Sequence, residues 1–491
     1  MESFLFLLSI ILLAGVWAAR VGDRLGLPVL IGFVAIGVVL GPGGLAITPP
    51  VSPSLAKSLG YMALILILFE GGLHTSRKRL MKALLPAFSL ATFGVLISAF
   101  IMAVLAHYLL HLSMFPAALL GVAVSSTDAA SVFAMLGGQA LRKQLVDVLE
   151  AESGTNDPMA FFLTLILLQW FAHGIGAPWH AVGYVVGTFT LQMVVGFVVG
   201  IGVGYLASVL NQRIKLDTGG LYPTLSLSFA LLSYVLAVFF DGSGFLSVYV
   251  ASVVMGNRKL DHRHSILRFH EGLAWTMHIL MFVVLGFQLD LTQLHRIWLP
   301  GIGLAVGALF VARPVAVFLS TVKMGFDWKE KLFLSWAGLR GAVPIVLVLS
   351  AVVPPENMPN ILLNAVFFVV IASTLVQSFT VKPFAKKLNL LDPSPSEGLL
   401  ELVAIARENA IVLPVEISED SRLLHRKMVD VPFPSNTLCY ALVRDNQVIV
   451  PRGATRLKSS DNLLILSDRR HVEDLQRLFA EEIVGESMFL P

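Results

Sequence analysis

Apolar runs dominate the first 388 residues of the chain. Thirteen of them reach or approach the length of a membrane span, at about 3–19, 27–46, 57–73, 83–106, 115–136, 144–170, 181–210, 218–239, 244–256, 270–288, 297–320, 330–352 and 360–381. The breaks between them are short. This pattern predicts a polytopic α-helical membrane protein. The first run has Glu2 and no basic residue ahead of it, so it reads as a retained helix rather than a signal peptide. The pattern changes near residue 388, where Asp392-Pro393-Ser394-Pro395-Ser396 reads as a linker. Beyond it, short β-like runs at 411–417, 438–443, 447–450 and 463–467 alternate with turns at Asp445-Asn446 and Arg452-Gly453. Helical stretches near 420–428 and 471–480 complete a small α+β domain. The expected division is a transmembrane domain over 1–388, a linker over 389–399 and a cytoplasmic domain over 400–485.

Composition agrees. Of 491 residues, 56% are apolar and only 14% charged, against roughly a quarter charged in ordinary soluble domains. The mean hydropathy is +0.80. Half of the 32 acids fall in the last hundred residues, as a soluble tail requires. The net charge of +3 is small and the basic residues are scattered, so nucleic-acid binding has no support. One cysteine, Cys439, excludes a disulfide framework or a cysteine-rich metal site.

The placement of basic residues carries more information. Loops and edges after odd-numbered spans hold twenty Lys and Arg, including Arg77, Lys78, Arg79 and Lys82; those after even-numbered spans hold only Lys57 and Arg296. So uneven a split predicts an external N-terminus and a cytoplasmic C-terminal domain, and it supports the span count. An internal symmetry is also present. Span 5 carries Ser125-Ser126-Thr127-Asp128 in mid-membrane and span 12 carries Gly338-Leu339-Arg340-Gly341-Ala342-Val343-Pro344. Both are interrupted, and they lie seven spans apart, which is the expectation for inverted repeats with broken helices at a midplane site.

Ionisable groups inside a bilayer cost ~2.5–3.5 kcal/mol each on insertion scales. Six stand out within the spans: Glu70, Asp128, Glu152, Asp157, Arg313 and Arg340, whereas Asp147, Glu150 and Glu271 lie near the inner ends of theirs, in reach of water. Span 6 contains Glu152-Ser153-Gly154-Thr155-Asn156-Asp157-Pro158, with Glu152 and Asn156, and Ser153 and Asp157, at i,i+4. All four are expected on one broad helical face. Two carboxylates, an amide and a hydroxyl are hard oxygen ligands suited to an alkali cation or a proton, and nothing nearby suits a transition metal. Glu152 reads as one half of a buried ion pair with an arginine, Arg340 or Arg313. Asn156 either orients Asp157 or donates to Glu152. Asp157 is then left without a base, and burial disfavours its charge. A bound proton or a bound monovalent cation relieves it. If the two compete, either loaded state is neutral and can cross, which is the logic of obligate exchange. Asp128 either supplies further oxygens with Thr127 or offsets the positive end of a half-helix. Glu70 is either a solvated helix-end acid or the entrance ligand of a cytoplasmic funnel.

Enzyme motifs are not found. His270-Glu271 lacks the following His of a zinc-protease helix, and no P-loop, nucleophile elbow or GxGxxG follows a strand. A potassium channel would carry a filter such as TVGYG, and none is present. An enzyme is not expected, nor is a cofactor.

With these residues in view, the sequence resembles the monovalent cation/proton antiporters of the NhaP and NHE type over about residues 5–387. The resemblance rests on FEGGL around Glu70, SSTDAASV around Thr127-Asp128, ESGTNDP at 152–158, ARP at 312–314 and GLRGAVP at 338–344. It implies a homodimer, thirteen helices with crossed broken helices, and an elevator-like movement of the ion-binding core in a bacterial inner (plasma) membrane. It marks Asp157 as the ion- and proton-binding carboxylate beside Asn156, with Ser153, Thr127 and Asp128 at coordinating or supporting positions. Glu70 matches the cytoplasmic-side acid and Glu152 the acid paired with an arginine. The Asn-Asp pair resembles the electroneutral branch, implying one ion per proton. The tail resembles the TrkA-C (RCK-C) domain of potassium-conductance regulators, which implies dimerisation and response to a small ligand, such as a nucleotide. The Rossmann half that binds dinucleotides in that family is not in this sequence. An antiporter joined to this tail resembles the K⁺/H⁺ members, with Na⁺/H⁺ exchange on the same site as the alternative. The expected partners are therefore K⁺ or Na⁺, H⁺ and membrane lipid.

Overall fold

The computed structural model describes residues 2–25, 29–46, 51–136, 141–173, 178–216, 218–289, 291–341, 343–350, 358–391, 410–417, 421, 423–434, 437–444, 447–459, 461–468 and 475. The chain divides into two compact units, the larger over 1–137 and 141–391 and the smaller over 392–491 together with 138–140.

The larger unit is helical throughout. Its helices are α1 (Glu2–Leu25), α2 (Val29–Leu40), α3 (Pro53–His74), α4 (Arg77–Ser89), α5 (Val95–Leu110), α6 (Met114–Ala123), α7 (Ala129–Leu136), α8 (Lys143–His173), α9 (Pro178–Arg213), α10 (Leu221–Phe239), α11 (Gly244–Gly256), α12 (Arg263–Phe287), α13 (Leu291–Gly307), α14 (Arg313–Ser320), α15 (Trp328–Trp336), α16 (Val343–Ser350) and α17 (Met358–Lys387). Among the described residues, eight stretches are long and apolar enough to cross a membrane: those of α1, α3, α4–α5, α9, α10, α12, α13–α14 and α17. Five expected spans take other forms. α2 and α11 are short, α6–α7 and α15–α16 are broken, and α8 is 31 residues long but carries the acids.

Two of the long rods contain a wide π-helical turn, at Leu90–Gly94 between α4 and α5 and at Ala308–Ala312 between α13 and α14. The second has a local cause. Pro314 has no N–H to give to the preceding turn, and the backbone absorbs the loss by letting the Arg313 N–H reach five residues back to Ala308 O. The helix continues, with Arg313 turned to a new bearing.

The core is apolar, with Phe33, Phe69, Leu120, Phe282 and Val346 almost wholly buried where α2, α3, α6, α12 and α16 meet. Outer faces are apolar too. Val194, Phe197, Val198 and Ile201 of α9 are exposed, an arrangement unfavourable in water and natural against lipid tails.

The described residues of the smaller unit form a four-stranded antiparallel sheet in the order β1-β4-β2-β3, from β1 (Ala410–Glu416), β2 (Leu438–Arg444), β3 (Gln447–Ile449) and β4 (Asn462–Asp468). Alternation along β4 buries Leu463, Ile465 and Ser467. Arg444 donates to both Asp461 oxygens at 2.7 Å and Asp461 is fully buried, which fixes the turn entering β4. The helix expected near 420–428 is replaced, in its described part, by a turn and the 3-10 helix Met428–Asp430. The segment is pinned there by backbone bonds from His425, Met428 and Val429 N–H to Leu457, Thr455 and Gly453 O, which a continuous α-helix would forbid. The Asp445-Asn446 turn and nearly all of 471–480 lie outside the described residues.

Candidate functional site

Buried backbone groups need partners, above all at membrane depth. The two breaks supply them to each other. The Asp128 N–H donates to Leu339 O at 2.7 Å, and Arg340 Nε donates to Val124 O at 2.8 Å. Gln377 of α17 donates to Trp336 O at 2.6 Å. The Ser125–Asp128 and Gly338–Gly341 segments therefore lie against each other in the interior.

Span 6 splits its polar residues between two faces, where the sequence placed all four on one. Glu152 and Asn156 point into protein. Arg313 donates to Glu152 Oε1 at 2.5 Å and Oε2 at 2.8 Å, with the pair 3% and 1% exposed. Arg313, rather than Arg340, is thus the partner of Glu152. Gly338 makes room for it: a Cβ there would fall 2.5 Å from Arg313 Nε. Arg340 is the clasp between the breaks, donating to Val124 O and to Gly338 O. The Asn156 amide neither orients Asp157 nor donates to Glu152. It donates to Thr127 Oγ1 at 2.7 Å and Thr127 O at 3.3 Å, tying α8 to the first break. Its carbonyl oxygen is buried without a hydrogen-bond partner.

Ser153 and Asp157 face a cavity of about 270 Å³, whose walls include Glu70, His74, Thr75, Thr127, Asp128, Glu150, Tyr249 and His278. Asp157 is 8% exposed, and no described basic residue lies within ion-pair distance of it. Asp128 caps α7, accepting from the Ala130 N–H at 3.0 Å and from the Ser131 hydroxyl, while its carboxylate still borders the cavity. Ser153 Oγ accepts from the Ala129 N–H at 3.3 Å. Glu70 stands at 3.1 Å from His74 Nδ1, one turn along α3. The carboxylates at the cavity thus outnumber its cationic groups, and such a lining selects for cations.

Sequence reading passed over His74 and Tyr249 as lining groups. The i,i+4 spacing of Glu70 and His74 was a readable signal. Tyr249, on the otherwise apolar α11, had none.

The Na⁺/H⁺ exchanger model, described as "Sodium/hydrogen exchanger, transmembrane", matches residues 8–387, and the TrkA-C domain model matches 412–480. The chain is 35% identical, over 99% of its length and 83% of the relative's, to a protein of Alkalimonas amylolytica named K(+)/H(+) antiporter NhaP. It is 36% identical, over 98% of its length and 84% of the relative's, to the K(+)/H(+) antiporter NhaP2 of Shewanella oneidensis. The solved structure of the sodium proton antiporter MjNhaP1 from Methanocaldococcus jannaschii covers 79% of this chain, and 99% of its own, with a TM-score of 0.70 at 22% identity, so the fold is shared. The chain belongs to the sodium/hydrogen exchanger family of monovalent cation/proton antiporters, and its transmembrane part is followed by a TrkA-C domain.

Proposed function

We propose that the chain exchanges K⁺ for H⁺, one for one, by competition of the two cations for Asp157. One observation carries this reading: a buried acid with no described basic residue within ion-pair distance. Arg313 is taken by Glu152 and Arg340 by backbone carbonyls, so neither neutralises Asp157. An isolated carboxylate away from water is costly until it binds a proton or a cation. Either loaded state is neutral, and the empty anionic state resists crossing. Thr127, Ser153 and Asp128 offer further oxygens, and Asn156 holds Thr127 in place. Glu70 is the entrance acid. The ion-binding core then moves in an elevator-like step between the two surfaces.

The choice of K⁺ is supported by the names of the relatives that match nearly the whole chain. Na⁺ is the second reading, favoured by a relative from Methanocaldococcus jannaschii, 26% identical over 78% of this chain and named a probable Na(+)/H(+) antiporter 2. The asymmetry of basic residues supports an external N-terminus and a cytoplasmic C-terminal domain in a bacterial inner membrane. A homodimer whose TrkA-C domain, over about 400–485, reads a small ligand completes the proposal.

The test is exchange in lipid vesicles under an imposed proton gradient, with K⁺, Na⁺, Li⁺ and Rb⁺ compared with and without a membrane potential. K⁺ is expected to be preferred and the rate to be insensitive to potential. Asp157→Asn is expected to abolish exchange while eluting and unfolding like the unaltered protein. A mutant exchanging at the normal rate would show the assignment of Asp157 to be wrong.

A further inference from the structure

We propose that Tyr249 is a specificity-determining residue of the exchange, its hydroxyl being a neutral oxygen ligand that the cation takes up as it sheds water on the way to Asp157. The inference rests on the exchange reading above.

Tyr249 is on α11, 5% exposed, in the wall of the cavity that Asp157 borders. Its hydroxyl oxygen is buried and makes no hydrogen bond among the described residues. The neighbouring Thr75 hydroxyl gives its own proton to Gly71 O at 2.9 Å, so toward Tyr249 it can only accept, and the lone pairs of the phenol oxygen stay open to the cavity. Buried oxygens ordinarily have partners, so lone pairs left open in a cavity wall call for a ligand. The ring is held in place by shape. It packs against α8 at Gly154, where any Cβ would collide with Tyr249 Cζ. Gly154 and Asp157 are three residues apart on that helix, so the hydroxyl and the carboxylate face one space.

The character of that space decides the ligand class. Its acids are Glu70, Asp128, Glu150 and Asp157, so an anion is repelled. A partly dehydrated alkali cation needs hard oxygens in place of water, and oxygens held by the protein discriminate between ions of different size and hydration energy. A phenol oxygen adds such a ligand without adding charge, leaving the one-for-one balance at Asp157 untouched.

The experiment measures exchange against cation concentration in vesicles for the unaltered protein, Tyr249→Phe and Gly154→Ala, with K⁺ and the next-best alkali cation. Tyr249→Phe keeps the ring against Gly154 and removes only the oxygen. It is expected to raise KM for K⁺ by about fivefold, the factor carried by one neutral polar contact, with Vmax unchanged. The ratio of KM values for the two cations is expected to shift by about threefold, a fraction of the same contact. Gly154→Ala keeps the hydroxyl but displaces it, and should raise KM in the same direction, so the proposal stays testable if Tyr249→Phe folds poorly. Unchanged KM values overturn the proposal. So does an equal rise for both cations, or a fall in Vmax alone. An unaltered protein that exchanges no cation for protons sinks the exchange reading instead, a distinguishable failure.

Discussion

Glu152 and Asp157 are five residues apart on one helix and have different electrostatic surroundings. Glu152 is locked in a bidentate pair with Arg313, while Asp157 borders the cavity with no described basic residue within ion-pair distance. The first arrangement is structural. Breaking it from one side leaves a buried charge uncompensated and costs about 3–5 kcal/mol. Glu152→Gln is therefore expected to lower the thermal unfolding midpoint in detergent strongly, and adding Arg313→Met to recover much of the loss. A single variant as stable as the unaltered protein would show that the pair contributes little. The pairing could not be settled from the chain, because Arg313 and Arg340 are both interior bases near interruptions. Both are equally buried, and reach alone separates them, which depends on helix packing across 161 positions.

At the scale of elements, two interrupted spans hold the site together. Their polar and glycine-rich composition was legible, as was the expectation that two such breaks belong to one midplane site. Which groups join them was not legible. The Arg340 clasp explains why a base is kept there without an acid: it satisfies Val124 and Gly338 carbonyls that a helix break would otherwise orphan. Arg340→Met removes both bonds. Hydrogen bonds from a charged donor are worth about 1.5–3 kcal/mol each, so stability should fall by about 3 kcal/mol. Exchange should slow as well, since Thr127 and Asp128 share the loosened loop. Thermal unfolding and vesicle rates check both, and a variant normal in each would mean that the breaks hold without the clasp. The π-helical turn before Arg313 had a readable cause in Pro314, yet its consequence, the bearing of Arg313, belongs to the folded helix.

At the scale of the whole molecule, the chain combines a helical unit with apolar outer faces and a compact sheet unit with its own core of Val415, Leu442, Leu463 and Ile465. Separate cores predict separable folding. A chain truncated before Asp392 is expected to enter membranes and exchange cations with the same KM, while the pH and ion levels at which exchange switches on are altered. An unchanged activation profile would count against a sensing role for the tail. The four strand runs of this tail were legible within a residue or two, because alternating burial on a sheet face writes itself into local sequence. The supposed helix near 420–428 was not, because long-range backbone bonds decided it.

The sequence by itself determined the long apolar helices, their two interruptions, the strands of the tail and the set of interior charges, since hydropathy, alternation and helix breaking are local properties. Tertiary structure alone decided which charges neutralise one another, which carbonyls receive a clasp, and that Asp157 and Tyr249 open on one space. Those outcomes depend on distances between helices far apart in the chain, and a buried charge is silent or reactive according to what stands within a few ångströms of it.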